Sequence, residues 1–294
     1  MKSAPPASLT PLIVCADDYG LDASIDEGIL ALVQLGRLSA VSCLTSGARW
    51  PAAARQLQAV PPWLALGLHF NLTEGTPCSP ALHSHWPRLP ALGRLIAQAH
   101  LGRLPTALLS QELQAQLDRF EQHASRAPAY IDGHQHVHHL PGVRERVVQE
   151  ALRRRIPVRN SMPARSRGFV VKRSLLALSG GRALAGLLRR RGLAFNTALL
   201  GVYDFRALYY RRLVQRWLAD GALMPASKPA LLVCHPASTG SRAPADDPIA
   251  GARRREAAYL GSALFMHDLA AAGLRLARPG AAALPEAFPD AWAA

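Results

Sequence analysis

Pro11-Leu12-Ile13-Val14-Cys15-Ala16-Asp17-Asp18-Tyr19-Gly20 is the stretch whose reading decides the fold. Its apolar residues run without alternation and stop abruptly at two carboxylates. A strand buried on both faces, as in a parallel sheet, has this continuous pattern and delivers polar groups at its carboxyl end. Immediately after it, Asp22 is placed to cap a helix whose apolar residues Ile25, Ile29, Leu32 and Leu35 keep helical spacing, and Gly36 is placed to end it. Similar units recur along the chain. Candidate strands lie at 39–45, 64–70, 129–133, 156–159, 194–200, 230–235 and 274–276, and helices are expected over 50–60, 111–123, 141–155, 205–218 and 252–272. This alternation predicts an α/β architecture with a parallel sheet, open or closed into a barrel. With no repeat and no linker, residues 1–294 read as one domain, the Ala- and Pro-rich 278–294 forming a weakly ordered tail. The Pro-, Gly- and His-containing 75–103 reads as a surface insertion over the site. Residues 161–191 read as basic and mostly helical, broken at Gly180-Gly181.

Composition narrows the class. With 294 residues, 49% of them hydrophobic, and a mean hydropathy of +0.05, the chain can bury a substantial core. No run approaches the ~18 apolar residues that a membrane helix needs. Met1 to Thr10 lacks the basic and apolar regions of a secretion signal. Cys15, Cys43, Cys78 and Cys234 form no C-x-x-C pair, and Cys15 and Cys234 sit in apolar strands, so free buried thiols and a cytoplasmic location are expected. The net charge of +14 comes from arginine, since Lys2, Lys172 and Lys228 are the only lysines. The triplets 153–155, 189–191 and 253–255 have no interleaved aromatics and read as solvated faces, so nucleic acid is not the expected partner. A basic, non-enzymatic anion-binding protein stands as an alternative. Phosphate-binding glycine loops are absent, which argues against a nucleotide enzyme.

Four expected strands end in reactive groups: Asp17 and Asp18, His69, His134, and His235. In parallel sheets and barrels such ends gather at one edge. The segment Ile131-Asp132-Gly133-His134-Gln135-His136-Val137-His138-His139 is the densest. In an extended backbone His134, His136 and His138 share one face and Gln135, Val137 and His139 the other. A polar turn is the plainer reading of any one of these histidines, but their clustering beside Asp132 weighs against it. Two imidazoles and one carboxylate with open positions form a facial site for a divalent ion, and Asp18, His69 and His134 are the expected set. Asp17, its neighbour, is expected on another face as a base beside the metal, and His235 as the acid that protonates the leaving group. The plainer alternatives are a helix cap for the aspartates and a structural histidine before Pro236. Arg159 either clamps a substrate or orients Asp17, with a surface salt bridge as the plainer reading. Glu256 is expected to pair with Arg253 along its helix.

Four segments, Ile13 to Gly20, Gly67-Leu68-His69-Phe70-Asn71-Leu72-Thr73-Glu74-Gly75, Tyr130 to His138, and Val233-Cys234-His235-Pro236, resemble the YdjC-like carbohydrate deacetylases. That family includes chitooligosaccharide deacetylases of the ChbG type and hopanoid-associated proteins of the HpnK type. Residues 76–128 and 160–230 carry little of the likeness, and Tyr19, Gly133 and Gln135 stand where phenylalanine, serine and histidine are more usual. The resemblance implies a distorted (β/α) barrel with largely parallel strands and surrounding helices, removing N-acetyl groups from amino sugars with one divalent ion. It makes Asp18, His69 and His134 the ligands, Asp17 the base and His235 the acid. Tyr19, Asn71, Thr73, Arg159, His136 and His138 are weaker candidates for contacts to the sugar, Asn71 and Thr73 doubling as turn formers. The family is described with magnesium, whereas imidazole ligands favour zinc or another transition metal. The expected partner is an acetylated amino sugar, oligosaccharide or lipid-linked, with no membrane span; a homodimer is allowed. An amidohydrolase-type barrel is the alternative enzyme, although there the H-x-H pair sits on the first strand.

Overall fold

The structure, a computed structural model, describes residues 9–165, 168–241 and 247–277. The expected tail at 278–294 and the first eight residues lie outside them. Strands β1 (Thr10–Tyr19), β2 (Ala40–Cys43), β3 (Ala65–Phe70), β4 (Ile131–Gly133), β5 (Leu199–Leu200), β6 (Ala230–Cys234) and β7 (Leu274–Leu276) pair in parallel. Their order is β4-β3-β2-β1-β6-β5, with β7 beside β1. Isolated bridges join Ile131 to Val158 and Pro163 to Leu199, so residues 157–164 link the two outer strands and the sheet curls into a distorted barrel. The expected strand at 156–159 contributes only that bridge at Val158.

Side chains on the strands divide by period two. Leu12, Val14 and Ala16 pack outward against the helices, while Ile13 and Cys15 join Ala40, Ala65, Tyr130, Leu231 and Val233 in a smaller cluster inside the barrel. The lumen is narrow. At Gly67 an added Cβ would lie 2.3 Å from the Tyr130 ring, so only glycine lets that ring cross the interior.

The helices are α1 (Ala23–Gln34), α2 (Trp50–Gln56), α3 (Pro80–His85), α4 (Leu92–His100), α5 (Thr106–Ala124), α6 (Arg144–Arg154), α7 (Val170–Leu176), α8 (Arg182–Arg191), α9 (Tyr210–Ala222), α10 (Ala250–Gly261) and α11 (Ala263–Ala271). At the start of α1 the Asp22 side chain accepts from the Ser24 N–H at 2.8 Å, the cap read from sequence. At its end Gly36 takes a φ of +65° and Arg37 N–H returns to the Leu32 carbonyl, a glycine C-terminal motif. The single helix expected over 252–272 is two, because Ser262 is extended (φ −76°, ψ 160°) between α10 and α11. The expected insertion at 75–103 holds α3 and α4, and Ser79 caps α3.

Candidate metal centre

Alternation along β1 sends Cys15 and then Asp17 inward and predicts an outward Asp18. The structure overrides that pattern. Pairing between β1 and β2 is irregular between Ala16 and Tyr19, and Asp18 has a φ of +73°. Such a bulge re-aims a side chain, so both carboxylates face the lumen: Asp17 Oδ2 lies 3.9 Å and Asp18 Oδ1 3.4 Å from His69 Nε2. This corrects the expectation that neighbouring aspartates take separate faces. Gly20 helps to hold the turn, since its φ is +92° and its N–H donates to Asp26 Oδ1 at 2.6 Å.

Asp18, His69 and His134 each offer a ligand atom within 4.8 Å of the others, and all three are buried. They arrive from the ends of β1, β3 and β4. His134 Nδ1 lies 2.9 Å from Asp18 Oδ1, while its Nε2 is buried without a hydrogen bond and lies 3.1 Å from Glu74 Oε1. His69 Nδ1 bonds Asp132 Oδ1 at 2.6 Å, which fixes the ring and leaves Nε2 toward Asp18. Burial would lower the pKa of His69, but Asp132 and Asp17 override it and hold the imidazole up to about 10. Separations of 2.9 and 3.4 Å match the ~3 Å edge between ligands bonded to one ion at about 2.1 Å. A buried set of one carboxylate and two imidazoles, their nitrogens within 3.4 Å of the Asp18 oxygen, fits a divalent cation.

Behind this triad lies a buried arginine. Arg159 is 0% exposed and grips Asp17 with two bonds, Nη1 to Oδ2 at 2.7 Å and Nη2 to Oδ1 at 2.6 Å. Its Nη2 also lies 2.5 Å from Asp132 Oδ2. Burial alone would raise the Asp17 pKa, but the guanidinium outweighs it and holds this carboxylate well below its usual range. Cys15, Asp17 and Asp132 also form a compact cluster, but the arginine already neutralises it. Arg159 therefore orients Asp17 and is no clamp on a substrate.

The second arginine was missed. Arg253, read as part of a solvated triplet, is 4% exposed and donates to Asp18 Oδ2 at 2.7 Å and to Asp247 Oδ2 at 3.0 Å. One turn on, Glu256 does not pair along its helix as expected; it accepts the His235 N–H and the Tyr203 hydroxyl, both at 2.5 Å. Burial pushes Glu256 up to about 7. The available signal was their spacing, because Ala252, Arg253, Glu256, Tyr259 and Leu260 share the buried side of α10. His235 has its ring edge-on to Phe205 and Nδ1 buried without a partner. Burial lowers its pKa to about 4.

The weaker candidates disperse. Tyr19 is fully buried and donates to the Ala53 carbonyl at 2.8 Å, in the core and away from any sugar. Asn71 Oδ1 accepts the N–H groups of Thr73 and Glu74, so these residues build the turn after β3. The histidine run leaves the extended form at His134: Gln135 and His136 have φ of 51° and 63°. The common face predicted for His134, His136 and His138 is therefore lost. His138 Nε2 turns to the Arg159 carbonyl, and His139 is held between Ser161 and Ser179. Burial lowers His138 to about 3. His136 alone of the two lines the cavity with the triad.

That cavity, about 680 Å³, opens over Asp17, Asp18, His69, His134 and His235. Leu21, Ile25, Leu92, Val202 and Ile249 give it apolar walls, and Lys172, Tyr203 and Phe205 lie on another side.

A parallel, helix-wrapped barrel with two imidazoles and a carboxylate converging at its strand ends defines the class. Within it, the chain belongs to the YdjC-like protein family, whose model matches residues 11–271. Relatives include a carbohydrate deacetylase of Mus musculus, 35% identical over 65% of this chain and 65% of that protein, and one of Homo sapiens, 33% identical over 65% of this chain and 62% of that protein. The chain thus spans just under two thirds of the length of these two relatives. A chitooligosaccharide deacetylase of Escherichia fergusonii is 32% identical over 77% of this chain and 81% of that protein. Among solved structures, a protein of Enterococcus faecalis V583 provisionally described as a cellobiose-phosphate cleavage protein superposes with a TM-score of 0.70 at 19% identity. It covers 92% of this chain and 98% of its own, a likeness of fold alone.

Proposed function

We propose that this chain is a metal-dependent hydrolase that removes N-acetyl groups from amino sugars. The observation that carries the reading is the convergence of Asp18, His69 and His134 at the floor of the cavity. Those three residues would hold the ion. Bound there, a divalent cation supplies Lewis acidity toward an amide carbonyl and lowers the pKa of water. Two imidazoles favour zinc or another transition ion over the magnesium expected from the family. Asp132 and Arg159 keep His69 and Asp17 in place.

Asp17 accepts a proton from the attacking water, its carboxylate held in place by the two bonds from Arg159. His235 stands neutral at pH 7, so the proton it delivers to the departing amine is the one Asp17 took from the water, passed on across the cavity that both line. Glu256 fixes the backbone that carries it. The relatives named as carbohydrate and chitooligosaccharide deacetylases support an acetylated amino-sugar substrate. Four free cysteines, three of them buried, support a reducing, cytoplasmic setting.

Acetate release from N-acetylglucosamine oligomers, with and without chelator, tests the reading. Release that a chelator abolishes and added metal restores is expected. Asp17→Asn should remove turnover while leaving bound metal at wild-type stoichiometry, whereas Asp18→Asn should lose both. Metal loss in Asp17→Asn would make it a ligand, and chelator-insensitive release would end the metal proposal.

A further inference from the structure

From residue 151 to 203 the chain contains no Asp or Glu and twelve Lys and Arg residues. Two helices in this acid-free stretch treat their apolar residues in opposite ways. Helix α8 buries Leu184, Ala185 and Leu188. Helix α7 buries none. Val171, Leu175 and Leu178, spaced i, i+4 and i+7, are 74%, 64% and 68% exposed, and Val170 beside them is 61% exposed. That spacing places an aliphatic stripe along one side of α7 and the turn after it, yet the stripe faces solvent. Six of the twelve exposed large hydrophobic side chains among the described residues fall between 170 and 209. Scattered exposed aliphatics need no explanation, but a contiguous stripe with a basic border marks an interaction surface.

We propose that α7 docks this protein onto an anionic phospholipid bilayer. The pairing of aliphatic and basic groups is what carries the choice of occupant. Arg173, Arg182 and Arg189 to Arg191 flank or follow the stripe in a segment without acids, the composition of a helix that lies in a headgroup region. A second copy would bring the same positive charge against it. Single-stranded nucleic acid favours stacking aromatics, and the exposed residues of α7 are aliphatic. No helix of the described residues is long and apolar enough to cross a membrane, so the contact is peripheral. It also has a place relative to the cavity: Lys172 of α7 donates to the Tyr203 carbonyl at 2.5 Å, and Lys172, Tyr203 and Phe205 line the cavity wall. Docking through α7 sets the cavity mouth beside the headgroups. This surface is read independently of the deacetylase proposal.

Co-sedimentation of the full chain with vesicles of equal parts phosphatidylglycerol and phosphatidylcholine, against phosphatidylcholine alone, tests it. Wild-type protein is expected to pellet with the anionic vesicles only, and less so as salt is raised. The triple variant Val171→Ser, Leu175→Ser, Leu178→Ser should lose about tenfold or more in partition coefficient, and Arg182→Gln roughly fivefold. Because these side chains are exposed, an unchanged melting curve is expected for each variant. Three results overturn the proposal: no lipid-dependent pelleting, equal pelleting of the triple variant, or a wild-type dimer that the triple variant dissolves without any lipid binding. Tight salt-sensitive binding of single-stranded RNA, unaffected by the serines and with no vesicle binding, would reassign the surface to nucleic acid.

Discussion

Single residues here carry charges that make sense only in pairs. Arg159 is the clearest case, since one fully buried guanidinium satisfies Asp17 and Asp132 together. Removing one partner of a buried charge network leaves the others desolvated and unpaired, which costs about 3–5 kcal/mol. Arg159→Met is therefore expected to lower stability by about that amount in urea unfolding. Arg159→Lys should recover little of it, because an ammonium cannot reproduce the two parallel bonds to Asp17. A loss under about 1 kcal/mol would show that the pair is dispensable to the fold. His69 gives a pH dependence with a definite sign. Burial lowers its pKa, but the surrounding carboxylates raise it from 6.5 to about 10, so in metal-free protein the charged form stabilises the fold. That contribution is complete below about pH 6.5 and fades as pH climbs through about 10. Unfolding in chelator at the two ends of this window should show the decline, and His69→Gln should flatten it. On the proposed ligand set a metal displaces this proton, so metal uptake near neutral pH should release protons to solvent.

At the scale of elements, the strand ends were legible and their last residues were not. Continuous apolar runs announced β1, β3 and β6 because parallel strands have no solvent face to mark by alternation. The reversal at Asp18 is not fixed by its letter, since aspartate adopts a left-handed φ more readily than most residues but still does so seldom. The same limit explains His136 and His138. Extended alternation was a sound rule for Ile131 to Gly133, but the chain turns at His134 once β4 has paired with β3 for three residues. Helix α10 reads as a solvated face at its arginine triplet 253–255. Its buried Arg253 and Glu256 are affordable only because Asp18 and the His235 N–H wait across the barrel rim. Gly67 links strand and lumen: Gly67→Ala drives a Cβ into the Tyr130 ring, and displacing a packed aromatic costs about 1–3 kcal/mol. The expected result is a melting temperature lower by several degrees, about 2–4 °C for each kcal/mol in a chain of this size.

For the molecule as a whole, the ion and the barrel should stabilise one another. A ligand that binds only the folded state adds about 2.7 kcal/mol when present at a hundredfold its dissociation constant. Zinc or another divalent ion is expected to raise the thermal midpoint of wild-type protein and to leave the double variant His69→Gln, His134→Gln unmoved. An equal shift in both would place the ion elsewhere. The sequence by itself determined the alternating parallel architecture and the placing of Asp18, His69 and His134 at the ends of strands, because burial on both faces and helix capping are local effects written residue by residue. Only the tertiary structure decided that Asp17 is bound by Arg159, that Arg253 and Glu256 reach in from the opposite side, and that α7 shows its aliphatic stripe to solvent. The two arginine partnerships join residues more than a hundred positions apart, and no local spacing records which distant group will lie within bonding distance once the barrel curls.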